Sequence, residues 1–68
     1  MSYFNKKLRQ LPDLSRYTKL EELNCSDNML TQLDNLPSSI IKLYCPTNFI
    51  TKLDNLPHGL KILNCSNN

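Results

Sequence analysis

Leu33-Asp34-Asn35-Leu36-Pro37 recurs letter for letter as Leu53-Asp54-Asn55-Leu56-Pro57, twenty residues further on. That identity sets a frame into which most of the chain falls. Working outward at the same interval, Leu20, Ile40 and Leu60 align, as do Leu23, Leu43 and Leu63. Cys25, Cys45 and Cys65 follow, then Asn28, Asn48 and Asn68, and Leu30 matches Ile50. Chance does not hold one register through so many positions.

The spacing inside one period shows what each copy does. In Leu20-x-x-Leu23-x-Cys25 the leucine and the cysteine are two apart, so they share one face of an extended segment. Asparagine comes next. Its amide carries donors and acceptors, so it can satisfy backbone groups that a bend strips from a ladder. The following apolar residues recur every third position, which suits an extended or loosely coiled return. The proline of Leu36-Pro37 and Leu56-Pro57 blocks a regular helix there. One copy reads strand, corner, return, corner, with its aliphatic side chains inward. The expected strands are 21–25, 41–45 and 61–65, parallel and in register.

Leu20-x-x-Leu23-x-Cys25-x-x-Asn28-x-Leu30 resembles the conserved segment of leucine-rich repeats, and Ile40 to Ile50 matches it again. Leu60 to Asn68 supplies a third copy up to the asparagine. The twenty-residue period with Leu-Pro-x-x-Leu is similar to the short repeats of bacterial leucine-rich repeat effectors. The Asn-Cys-Ser wording is closer to the leucine-rich repeat proteins of giant DNA viruses. The resemblance covers roughly residues 8–68. It implies an α/β repeat fold: a right-handed leucine-rich repeat solenoid with a short parallel sheet and a mostly irregular convex side.

The beginning of the chain departs from the strict period. Leu8, Leu11 and Leu14 fit Leu30, Leu33 and Leu36 at an offset of twenty-two. Tyr3 then falls at the cysteine position and Lys6 at the asparagine position. Residues 1–19 read as a degenerate half-repeat or cap. Ser15 to Lys19 is expected to form one helical turn with Ser15 as its N-cap. Residues 20–68 hold two full turns and a truncated third.

Composition narrows the function classes. Forty per cent hydrophobic and 21% charged residues are ordinary for a folded chain. A formal charge of +2, with acidic residues scattered among the basic ones, gives no footprint for nucleic acid. The apolar runs are pairs such as Ile40-Ile41 and Phe49-Ile50, so no stretch spans a bilayer. Met1 to Lys7 has no apolar core and cleavage site, so the expected location is the cytoplasm, a host's cytoplasm if the chain is viral.

The chemistry-bearing residues read as structural. Three cysteines in a row of parallel strands, about 4.8 Å apart, cannot converge on one zinc ion at bonds of about 2.3 Å. They read as reduced, buried small hydrophobes. The asparagines read as an inward amide ladder. The tripeptides Asn24-Cys25-Ser26 and Asn64-Cys65-Ser66 match the glycosylation pattern by accident of the repeat. His58, in the Pro57-His58-Gly59 turn, reads as solvated. No nucleophile has an identifiable base, so the chain is expected to be no enzyme and to hold no cofactor or metal.

What distinguishes one copy from another is the outer row of the strands. It carries Glu21, Glu22 and Asn24, then Ile41, Lys42 and Tyr44, then Lys61, Ile62 and Asn64. Tyrosine beside isoleucines on an otherwise polar sheet suits an interaction hot spot; a plain solvated sheet fits the same letters. The expected partner-binding residues are Glu22, Ile41, Lys42, Tyr44, Lys61, Ile62 and Asn64, with a protein partner on the concave face. The alternatives are a substrate-recognition fragment of a larger effector, such as a ubiquitin ligase, and a structural or degenerate remnant without a partner. The outer edge of the last strand is left open for self-association.

Overall fold

The computed structural model describes residues 1–68 and contains three strands: β1 (Glu22–Asn24), β2 (Lys42–Tyr44) and β3 (Ile62–Asn64). They pair in parallel, in the order β1-β2-β3, with Leu23 opposite Leu43 and Leu43 opposite Leu63. The register is the sequence period. No helix forms, so the helical half of the expected α/β repeat is absent and what stands is a small parallel sheet joined by irregular segments.

Each strand is shorter than the five residues expected, because the chain bends soon after the central leucine. The ladder nonetheless continues past the strand ends. Cys25 N–H donates to Tyr44 O at 2.7 Å and Cys45 N–H to Asn64 O at 2.8 Å. Asp27 N–H reaches Pro46 O and Thr47 N–H reaches Ser66 O, both at 3.0 Å. At these last positions the backbone turns left-handed: φ is 57° at Asp27, 58° at Thr47 and 57° at Asn67. Asparagine and aspartate tolerate that region; a β-branched threonine is strained in it.

The asparagines fill the corner as the sequence suggests. Asn48 Nδ2 donates to Cys25 O at 3.0 Å, Cys45 O at 3.2 Å and Pro46 O at 3.3 Å, while its Oδ1 accepts from Leu30 N–H at 3.1 Å. Asn68 repeats the set on Cys45, Cys65, Ser66 and Ile50. Asn28 makes it against Tyr3 O, Cys25 O and Ser26 O, accepting from Lys6 and Leu8. One asparagine side chain thus ties each copy to the one before it, buried at Asn28 and Asn48 and exposed at Asn68.

Residues 1–5 add a fourth rung. Ser2 bridges Asn24 in parallel, Tyr3 N–H donates to Asn24 O at 2.7 Å and Asn5 N–H to Ser26 O at 3.0 Å. Asn5 takes the left-handed corner at φ 53°. The offset of twenty-two places each of these residues on its counterpart. The expected helical turn at 15–19 is not there. Tyr17 N–H bonds Leu14 O and Leu20 N–H bonds Tyr17 O, giving two successive turns. The capping side chain is Asp13 and not Ser15: Asp13 Oδ1 accepts from the Ser15 amide at 3.0 Å and its hydroxyl at 2.6 Å. Those bonds hold the Asp13 carboxyl below its ordinary value.

The core runs through the stack as Leu11, Leu14, Leu23, Leu30, Leu33, Ile40, Leu43 and Ile50, with Cys25 and Cys45. Burying one such leucine stabilises the fold by roughly 1.5–3 kcal/mol relative to leaving it in water. The same letters fare differently one copy later. Leu33 is 1% exposed and Leu53 is 44%; Leu43 is 0% exposed and Leu63 is 36%. A repeat position is buried only when another copy stacks on it.

Candidate interaction surface

Alternation along each strand sends Leu23, Leu43 and Leu63 to the core side and their neighbours to the other. Register then aligns two rows across the sheet: Glu22, Lys42 and Ile62 in one, Asn24, Tyr44 and Asn64 in the other. Ile41 lies just before β2, where its N–H and that of Lys42 both donate to Glu21 O, at 2.8 and 3.0 Å. Lys61 and Ile62 repeat this on Ile41 O. The structure therefore gathers all seven expected residues on or beside the outer rows. Glu22, Lys61, Ile62 and Asn64 are exposed, and Ile41, Lys42 and Tyr44 are half-buried.

Asn64 has a structural task as well. Its Oδ1 accepts from the Ser66 amide at 3.1 Å and the Ser66 hydroxyl at 2.9 Å. Asn24 holds Ser26 by the same pair of bonds. In the middle copy that pair is replaced: Tyr44 stands for the asparagine and Pro46 for the serine. Proline has no amide proton, so the tyrosine leaves no donor stranded. The two local hydrogen bonds are lost, and the next residue, Thr47, sits in the left-handed region that its counterparts Asp27 and Asn67 suit better.

Three exposed aromatic rings, Phe4, Tyr17 and Phe49, were not singled out from the sequence as surface residues. Phe49 is 63% exposed, one residue past the asparagine corner, and Phe4 is exposed at the position equivalent to Pro46. Phe49 follows an apolar-looking pattern with Ile50, which hides it; only Ile50 is in the core. Its counterpart is Met29, so the letters alone do not separate a surface position from a core one.

The cysteines form a column, but an uneven one. Cys25 and Cys45 are buried, whereas Cys65 is half-exposed, so the expectation of three buried thiols fails for Cys65 because nothing stacks on it. All three are free thiols. Hydrogen bonding to Cys45 and burial push the Cys25 thiol well up. Cys65 lines a cleft of about 170 Å³ with Ile50, Leu53 and Asn68. Small-molecule sites begin near about 300 Å³, so this cleft is the open end of the core and not a ligand pocket.

No protein-family model, curated protein or solved structure matches this chain. No helix is long and apolar enough to cross a membrane.

Proposed function

We propose that the chain is a leucine-rich repeat solenoid of the short, twenty-residue kind, without catalytic activity, that binds a protein partner on the outer face of its parallel sheet. The observation that carries this reading is the departure of the middle copy from its own neighbours. At outward positions it exchanges Asn-x-Ser-Asp/Asn for Tyr44-x-Pro46-Thr47, at the cost of two local hydrogen bonds and a strained corner. Its inward residues, Leu43, Cys45 and Asn48, keep the pattern unchanged. Departures that leave the core residues untouched, against local stability, mark a site shaped for something other than folding.

Tyr44 is the anchor in this reading. It offers a large contact area with few rotatable bonds. Ile41 and Ile62 supply apolar neighbours, and Glu22, Lys42 and Lys61 orient a partner by charge. Asn64 supplies its amide protons, since its oxygen is engaged with Ser66.

The test compares the parent chain with Tyr44→Ala and with Lys52→Glu on a return segment, each immobilised and exposed to extract from its own cells. Proteins kept by the parent and by Lys52→Glu but lost from Tyr44→Ala support the reading, with the loss equivalent to about 2 kcal/mol or more. Equal retention by Tyr44→Ala, or loss only from Lys52→Glu, places binding elsewhere.

A further inference from the structure

We propose that the outer face takes an arginine side chain of its protein partner, the guanidinium stacked on Phe4 and paired with Asp27, the stem lying over Pro46 beside Tyr44. This rests on the reading that a protein binds that face, and it names the chemistry the partner brings. Ser2 bridges Asn24 in register, and Asn5 N–H donates to Ser26 O at 3.0 Å. Phe4 N–H donates to Ser2 Oγ at 3.3 Å, as Ser26 N–H does to Asn24 Oδ1 at 2.9 Å. Phe4 therefore stands beside Ser26 and repeats its local turn. Asp27 N–H donates to Pro46 O at 3.0 Å, which sets Pro46 on the other flank of Ser26. Between these two bulky residues Ser26 is covered to 8% exposure, while the Phe4 ring is left 52% exposed. Tyr44, half-buried, precedes Pro46 by two residues. Phe4, Pro46 and Tyr44 thus form an apolar platform on the outer side, with exposed Asp27 at its rim.

Charge selects the occupant. Across the levels of Asn24, Ser26 and Asp27, through all the rungs of the sheet, Asp27 is the only charged side chain. Its neighbours at its own level, Asn5 and Thr47, are uncharged. The Asp13 and Asp34 carboxylates accept hydrogen bonds from Ser15 and Gln32, whereas that of Asp27 accepts none. The nearest cations lie beyond these levels. Lys42 faces Glu22 across β1 and β2, the Met1 amine donates to Glu22 O at 3.4 Å, and Lys6 lies past the bend, its N–H on Asn28 Oδ1 at 3.0 Å. A carboxylate at the rim of an aromatic platform attracts a cation, and attraction falls with distance, so Asp27 outweighs the more remote lysines there. Arginine fits better than lysine, because its guanidinium is planar, weakly hydrated and able to stack on a ring while its edge meets a carboxylate.

Amide NMR of the full chain tests this, by titration with a blocked glycine-arginine-glycine peptide and with its lysine and citrulline forms. Two variants borrow residues from other copies, which protects the fold. Phe4→Ser gives the residue found at Ser26 and Ser66, and Asp27→Asn gives that of Asn67, which suits the left-handed φ of 57°. The arginine peptide is expected to move the amides of Phe4, Ser26 and Asp27, and to bind about two- to fivefold less tightly to each variant. The citrulline peptide, similar in shape but uncharged, is expected to leave those amides in place. Equal binding of the citrulline or the lysine peptide, or undiminished binding to both variants, would overturn the proposal. Tyr44→Ala on cell extract reads the face itself. If it loses a partner that Phe4→Ser and Asp27→Asn both keep in full, the face stands and the arginine contact falls. If it keeps the partner, the face reading fails and the proposal fails with it.

Discussion

Replacing Asn48 by alanine removes the tie between the first and second copies without changing the pattern of apolar residues. Asn48 is buried and makes four hydrogen bonds, three as donor and one as acceptor. After truncation Cys25 O keeps Asn28, Cys45 O keeps Asn68 and Pro46 O keeps Asp27. Leu30 N–H keeps nothing, since Asn48 Oδ1 is its acceptor. A buried donor left without a partner costs about 1–3 kcal/mol, and each bond lost from a group that retains another costs less than the usual ~1. The expected total is about 2–4 kcal/mol, much of the stability of so short a chain. Asn68→Ala removes the same four bonds from a residue that is exposed, where water replaces the amide. It should cost about 1 kcal/mol or less. Urea unfolding of parent and both variants, compared at equal slope, reads the difference as a shift in midpoint. Equal destabilisation by the two substitutions would refute the reasoning, because the predicted difference rests on the burial of Asn48 and the exposure of Asn68.

Thr47→Asn should stabilise the chain by about 1 kcal/mol, through relief of the left-handed strain at φ 58°, seen as a higher urea midpoint. A thiol reagent under native conditions should label Cys65 quickly and Cys25 and Cys45 slowly, resolved by peptide mass mapping; Cys45→Ser should cost about 1–3 kcal/mol. Asp13 makes a pH-dependent corner. Its carboxyl is held down by the Ser15 hydroxyl and amide, so its contribution is present above the ordinary 3.8 and is lost as pH falls through the lower folded-state value. An NMR titration of the Ser15 amide should show a midpoint below 3.8, and Ser15→Ala should move the Asp13 midpoint back up toward it.

The parallel register was legible because a fixed period and strand alternation leave one way to align Leu23, Leu43 and Leu63. The asparagine ladder was legible from the amide's donors and acceptors at the bend, and the first rung from the offset that sets Tyr3 on Cys25. Other features were not. Leu53 repeats Leu33 and Leu63 repeats Leu43 in identical letters, so their exposure follows from their place in the stack and not from the residues themselves. The cap at Asp13 was assigned to Ser15 because both residue types cap, and only the turn geometry decides between them. At the outer face, Glu22, Lys42, Tyr44, Ile62 and Asn64 followed from alternation, whereas Ile41 and Lys61 lie just before the strands and did not. The coupling of Tyr44 to Pro46 did not, since it shows only when Asn24 and Asn64 are seen to hold the amides that Pro46 lacks.

Restoring the middle copy to the pattern of its neighbours puts the central claim to its most direct test. The variant Tyr44→Asn, Pro46→Ser, Thr47→Asn regains two local hydrogen bonds and a comfortable corner, so it should unfold at higher urea than the parent. Retention of the partner by this variant, measured beside the parent on the same extract, decides the matter. The account predicts a more stable chain that no longer binds. A variant that is more stable and binds as well as the parent would contradict it.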